Sequence, residues 1–217
     1  ESLKKREIKH LLFSSTSSVY GNNIDFPLSE NSKTDSPASL YSATKKSCEN
    51  LLYYYSHQFK IPTTVMRFFT VYGPWGRPDQ ALYKFVEKIF NKKEIEIFNK
   101  GNMERDFTYI DDLVDCFLQI MKMPPTKNKK LIDDPNYFYR VVNIGSSEKV
   151  NLNDFVKHIE TKTNIKAQKK YLPHQPGDIY RTQSDNTLLF KMIGDRNFIP
   201  CSEGIENFIE WYKKYKK

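Results

Sequence analysis

Apolar positions in this chain fall either in short runs or at helical spacing, and their alternation predicts the order of elements. His10-Leu-Leu-Phe-Ser-Ser15 is an apolar run ending on hydroxyls, which predicts a buried strand delivering Ser14 to Ser18 at its C-terminal edge. Asn22 to Ala38 is polar and contains proline, a loop. Ala43, Cys48, Leu51, Leu52, Tyr55 and Phe59 lie near helical spacing and predict a long helix from Leu40 to Phe59. Pro62 to Phe69 is a second apolar strand, so the opening third reads β–α–β, the order of a parallel sheet.

Further on, Leu82, Phe85, Val86, Ile89 and Phe90 share one face of a predicted helix from Gln80 to Lys92. Strands are expected at Ile95–Phe98, Asp106–Ile110, Tyr139–Ile144 and Lys169–Pro173. Asp111 is the predicted N-cap of a helix reaching Met123, and Asn151 the N-cap of a helix carrying Leu152, Phe155, Val156 and Ile159. Pro124 to Asn136 reads as a mobile Lys/Asp/Pro-rich loop. A short helix from Leu188 stops at Gly194. Ile205, Phe208, Ile209 and Tyr212 mark a last amphipathic helix over Glu203–Tyr215. The fold class is α/β, with no internal repeat.

Composition narrows the function classes. A chain of 217 residues with 39% hydrophobic and 14% aromatic content can bury a core. No apolar run approaches the roughly 20 residues needed to cross a bilayer, and the first residues carry no apolar segment of a signal peptide. Cys48, Cys116 and Cys201, odd in number and widely spaced, suit a reducing cytoplasmic setting better than a disulfide framework. His10, His57, His158 and His174 lack metal-ligand spacing, so no metal is expected. The net charge of +8 comes from 27 Lys against 7 Arg, in clusters such as Lys127-Asn-Lys-Lys130 and the final lysines. Nucleic-acid surfaces concentrate charge on one face, often as Arg, so no nucleic-acid partner is expected.

The candidate chemistry centres on Tyr41-Ser-Ala-Thr-Lys45, downstream of Ser14-Ser-Thr-Ser-Ser-Val-Tyr-Gly21. Side chains four residues apart share a helix face. An ammonium beside a phenol favours its ionised form, and such a phenol can exchange a proton with a substrate hydroxyl. The chain contains no G-x-G-x-x-G or G-x-x-G-x-x-G, the turn that normally cradles a dinucleotide pyrophosphate. It therefore reads as the C-terminal part of a larger enzyme.

Six ordered blocks carry a family resemblance: Phe13–Gly21, Tyr41–Lys45, Arg67-Phe-Phe-Thr-Val-Tyr-Gly-Pro-Trp-Gly-Arg-Pro-Asp79, Arg105-Asp-Phe-Thr-Tyr-Ile-Asp-Asp112, Asn143-Ile-Gly145 and Gln175-Pro-Gly-Asp-Ile-Tyr-Arg-Thr182. Together they resemble the extended short-chain dehydrogenase/reductases, specifically NAD-dependent nucleotide-sugar epimerases and, most closely, the UDP-glucuronate 4-epimerases. The resemblance implies a partial Rossmann-type doubly wound sheet from residues 1–73, with returns at 106–122 and 139–147. A smaller UDP-sugar lobe would come from 74–105 and 148–217. It implies Tyr41 as the acid/base at the sugar 4-hydroxyl, Lys45 as its tuning cation and ribose ligand, and Thr16 as the bridging hydroxyl. Ser14, Tyr41, Lys45 and Phe68 would line bound NAD.

For the substrate, the resemblance implies Thr16, Ser17, Ser18, Thr70 and Arg77 around a uronate carboxylate. Phe98 would lie near the uracil, Arg105 at the diphosphate and Asp178 at a ribose hydroxyl, with Gln175 and Arg181 as neighbours. Related dehydratases need an acidic pair after the Thr; this chain has Ser17 and Ser18, which favours epimerisation over elimination. In similar enzymes the Tyr53-Tyr-Tyr55 helix helps form a homodimer. Two other readings stay open: a UDP-glucose or UDP-N-acetylhexosamine 4-epimerase, and a catalytically silent interaction module unable to bind NAD alone.

Overall fold

The computed structural model describes residues 7–126, 137–175 and 177–216. The Lys127–Lys130 cluster, much of the 124–136 loop and Pro176 lie outside the described residues. Three parallel strands form one sheet in the order β1–β2–β6: β1 (Leu11–Thr16), β2 (Thr63–Phe68) and β6 (Tyr139–Ile144). Their register aligns Thr16 with Phe68 and Phe68 with Ile144, so all three strands end at one level. In open α/β sheets, ligands bind beyond such carboxyl ends. The segment predicted as one strand over 62–69 is broken at Phe69, and β3 (Thr70–Tyr72) departs to pair with β5 (Glu104–Tyr109). β7 (Lys149–Asn151), which the apolar pattern does not announce, runs antiparallel to β5. β4 (Ile95–Phe98) pairs with β8 (Lys169–Leu172).

Two large hydrophobic clusters hold these layers together, beside a small one of Tyr20, Leu28 and Phe69. One packs α2 (Ala81–Phe90), α4 (Leu152–Thr163) and α6 (Cys201–Tyr215) against β3, β4 and β5 through Val86, Ile97, Phe107, Phe155 and Phe208. The Phe107 and Phe155 rings stack with centroids 4.2 Å apart. The other joins Met66, Val142 and Ile144 to α3 (Ile110–Met121) and α5 (Thr187–Ile193). Leu188, Leu189 and Met192 of α5 thus pack with the three-stranded sheet, although they fall in the stretch assigned above to the smaller lobe.

Two local expectations are corrected. Helix α3 starts at Ile110 with Tyr109 as N-cap; Asp111 and Asp112 sit in its first turn, and Asp112 Oδ2 accepts from the Ile199 amide at 2.8 Å. Carboxylates there still oppose the helix dipole favourably. In α1 (Leu40–Phe59) the buried face is Ser42, Glu49 and Ser56, while Leu51 is 60% exposed. The apolar residues of α1 do not mark its core side, because that side holds hydrogen-bonded polar groups. The cap of α4 falls where predicted: Asn151 Oδ1 accepts from the Asn153 amide at 2.9 Å.

Candidate active site

β1 ends in hydroxyls because its last residues turn into a short 3₁₀ segment, Ser17–Tyr20. Thr16 Oγ1 caps that segment, accepting from the Ser18 amide at 3.1 Å and donating to Ser18 Oγ at 3.2 Å. α1 approaches the same strand end. Its start is fixed by a reciprocal Ser39–Ser42 capping box, with amide-to-hydroxyl distances of 3.0 and 3.2 Å. One turn later Lys45 Nζ donates to the Ser14 carbonyl at 2.9 Å and lies 5.0 Å from the Phe13 ring centroid and 5.9 Å from that of Tyr41. Tyr41 is 54% exposed.

A cavity of about 140 Å³ opens beside this corner, lined by Ser17, Ser18, Ser39, Ser42, Thr70 and Thr182 together with Arg105 and Asp178. Ser17 adjoins Thr16 and Ser42 adjoins Tyr41, so the strand end and the helix start face one space. A larger cavity of about 310 Å³ adjoins it, with Phe85, Phe98, Phe107 and Met103 as apolar walls and Lys84, Lys88, Arg105, Asp79, Glu96 and Asp178 as charged ones. Thr70, Arg105 and Asp178 line both. Arg105 Nη2 donates to Asp178 Oδ1 at 2.7 Å. Burial pulls the Arg105 guanidinium below its ordinary value, and Asp178 works against that shift. The two cavities together join apolar walls, a guanidinium and a set of hydroxyls in one continuous space.

The structure therefore brings together Thr70, Phe98, Arg105 and Asp178 at one cavity wall, and Ser17, Ser18 and Thr70 at the other. Phe68 sits opposite Thr16 in the β1–β2 register, half-buried. Ser14, Thr16, Tyr41, Lys45, Phe68, Arg77, Gln175 and Arg181 line neither cavity. Arg77 Nη2 holds Asp79 Oδ2 at 2.9 Å on the surface, and the Gln175 carbonyl accepts from the Asp178 amide at 3.2 Å. Arg181 Nη2 donates to Gln183 Oε1 at 2.7 Å.

Polar groups that sequence reasoning missed support this corner from behind. Asp106, fully buried, accepts from Thr108 Oγ1, from the amides of Ser146, Ser147 and Ser184, and from the Ser146 and Ser184 hydroxyls at 2.7–3.2 Å. It ties β5 to the loop after β6 and to the 180–184 segment that carries Thr182. Gly145 is required there: a Cβ would stand 2.3 Å from Ser184 Oγ and 2.7 Å from Asp106 Oδ2. Lys84 and Lys88, one helical turn apart on α2, are further unannounced members, as are Asp79, Glu96, Ser39, Ser42 and Thr182. Only the recurrence of Lys on the flank of an apolar helix face pointed to the two lysines. Among the described residues no His/Cys/Asp/Glu group could hold a metal.

A parallel sheet ending in Ser/Thr hydroxyls, with a Tyr–Lys helix pair beside them, defines a Rossmann-type protein of the short-chain dehydrogenase/reductase kind. The chain belongs to the NAD dependent epimerase/dehydratase family, whose sequence profile matches residues 1–145. It is 44% identical to Protein CapI of Staphylococcus aureus, over 97% of this chain and 65% of the relative. It is 43% identical to a probable UDP-glucuronate 4-epimerase of Rhizobium meliloti (strain 1021), over 94% of this chain and 62% of the relative. Its fold matches the crystal structure of UDP-glucuronic acid 4-epimerase from Bacillus cereus in complex with UDP-glucuronic acid and NAD. That match has a TM-score of 0.87 and 29% identity, covering 99% of this chain and 64% of that one. The chain thus spans just under two thirds of the length of these proteins.

Proposed function

We propose that these residues supply the acid/base and UDP-sugar-binding part of an NAD-dependent UDP-sugar 4-epimerase, interconverting UDP-glucuronate and UDP-galacturonate. The observation that carries the reading is the pair of joined cavities, sharing Thr70, Arg105 and Asp178, next to the Tyr41–Lys45 corner. Uracil would lie among Phe98 and Phe85, the diphosphate against Arg105 and Lys84, and the sugar among Ser17, Ser18 and Ser42. The division into a sheet lobe and a UDP-sugar lobe, with the boundaries given above except that α5 packs with the sheet, belongs to the same proposal.

One observation supports a place for NAD beside Lys45. Lys45 spends one of its ammonium donors on the Ser14 carbonyl, leaving others for ribose hydroxyls. Ser14, Phe68 and Tyr41 would complete this chain's contact with the nicotinamide half. NAD, when bound, supplies the hydride acceptor and donor at the sugar C4. Tyr41 takes the proton from the 4-hydroxyl as hydride leaves and returns it after the sugar has turned. Lys45 stabilises the phenolate charge. Thr16 must turn its hydroxyl from Ser18 toward the sugar oxygen to bridge it to Tyr41. Ser17 and Ser18 cannot act as the acid and base of elimination, so the oxidised sugar is reduced again rather than dehydrated.

A homodimer through the outer face of α1, where Leu40, Leu51 and Tyr54 are exposed, is part of this reading, as is a cytoplasmic setting. No helix among the described residues is long and apolar enough to cross a membrane. Full-length protein supplied with NAD should convert UDP-glucuronate to UDP-galacturonate. Lack of turnover on every UDP-hexose, with NAD demonstrably bound, would refute the assignment.

A further inference from the structure

Glu49 lies four residues beyond Lys45 and eight beyond Tyr41, so the three share one drifting face of α1. The face passes from exposed Tyr41 through half-buried Lys45 to Glu49, which is 2% exposed. Glu49 Oε1 accepts from Ser15 Oγ at 2.6 Å and from Arg67 Nε at 3.1 Å; Oε2 accepts from Arg67 Nη2 at 2.8 Å. Ser15 and Arg67 are direct partners in the β1–β2 register. One carboxylate therefore clamps the helix to two adjacent strand ends. Arg67 is itself held, donating to the Glu30 carbonyl at 3.2 Å and lying 4.8 Å from the Tyr20 ring centroid. Burial alone would raise the Glu49 carboxyl, but the hydrogen bonds and charge of Arg67, aided by Ser15 and Lys46, outweigh it and leave the group below its ordinary value.

A buried ion pair is seldom more stabilising than well-packed hydrocarbon. Its directional bonds do fix position, which an apolar contact does less sharply. Ser15 precedes Thr16 and follows Ser14, whose carbonyl holds Lys45. The two clamps together set the rotation and height of α1 against the strand that presents Thr16.

We propose that Glu49 is a positioning residue that locks α1 to the ends of β1 and β2, so that Tyr41 and Lys45 meet Thr16 in one fixed register. It touches no substrate, and its role rests on the epimerase reading above. Two variants of the full-length protein test it with NAD and UDP-glucuronate. Ser15→Ala removes one clamp bond and spares the ion pair; Glu49→Asp keeps the charge and withdraws the carboxylate. Since a shift on the order of 1 Å in a reacting group can cost up to ~100-fold in rate, each should lower kcat about tenfold or more and leave KM within about twofold. Amide exchange should quicken at Ser14–Ser18 and Tyr41–Lys45.

Unchanged kcat in folded Ser15→Ala, or a raised KM at constant kcat, overturns the proposal. If Glu49→Asp fails to fold, Ser15→Ala decides. If wild-type protein turns over no UDP-sugar, the epimerase reading fails and exchange alone decides: quickening confined to those two segments supports the clamp, and unchanged exchange overturns it.

Discussion

Lys45 Nζ donates to the backbone carbonyl of Ser14 at 2.9 Å, tying the second turn of α1 to the last residues of β1. The same ammonium faces the Tyr41 ring at 5.9 Å. A single cation therefore links the helix that would supply a proton-transfer group to the strand that would supply Thr16. Its hydrogen bond goes to the backbone, so the link does not depend on which side chain occupies position 14.

Arg105 and Asp178 are paired at 2.7 Å between the two cavities. A diphosphate bound there must compete for the guanidinium. Arg105→Ala should weaken UDP binding by roughly 10- to 100-fold, the worth of one or two charge-assisted bonds. Calorimetric titration with UDP checks this, and an unchanged affinity would remove Arg105 from the diphosphate site.

Arg77 is bound to Asp79 on the surface, its side chain 72% exposed. Such a pair adds little stability. Arg77→Ala should leave the thermal midpoint unchanged, yet lower kcat/KM for UDP-glucuronate more than for UDP-glucose. Equal losses on both sugars would show that Arg77 does not read the carboxylate.

His10 gives a pH signature remote from the site. Its Nδ1 donates to the Met121 carbonyl at 3.0 Å, and its Nε2 accepts from the Thr64 hydroxyl at 2.8 Å, whose oxygen accepts in turn from Arg140 Nε at 3.0 Å. Burial lowers the imidazole below its ordinary value, nearby Arg140 adds to this, and the Met121 bond opposes it. The folded state therefore prefers neutral His10, and the unfolded state binds the extra proton. This contribution is complete above the unfolded value near 6.5 and is lost as pH falls through the lower folded value. The thermal midpoint of His10→Gln should fall less than that of wild type between neutral and mildly acid pH, by parallel melting curves.

Leu51 and Tyr54 are exposed on the outer face of α1. If that face joins two copies, Leu51→Glu with Tyr54→Lys should convert a dimer to monomer in sedimentation velocity. An unchanged mass would place any interface elsewhere.

Much of the fold was legible where apolar residues recur at helical spacing over a buried face, as in α2, α4 and α6. The same spacing misled in α1, because Ser42, Glu49 and Ser56 face inward and their partners are distant in sequence. A buried, fully bonded carboxylate such as Asp106 looks like any surface aspartate when read as a string of letters. The Tyr41–Lys45 pair was legible because helix geometry alone relates its members. Glu49 extends that series by one more turn, a spacing that could have been noticed. Strand order, and the sharing of one cavity wall by Arg105 and Asp178, depend on tertiary contacts that no local pattern encodes.

On the proposed function, Tyr41, with Lys45 and Thr16, moves the proton at the sugar 4-hydroxyl. The direct measurement is steady-state interconversion of UDP-glucuronate by full-length Tyr41→Phe with NAD present, alongside its affinity for UDP-glucuronate. The account predicts a loss of about 10²-fold or more in kcat, in keeping with removal of a general acid/base, with substrate affinity nearly unchanged. Turnover close to wild type in a folded, NAD-loaded Tyr41→Phe protein would contradict it.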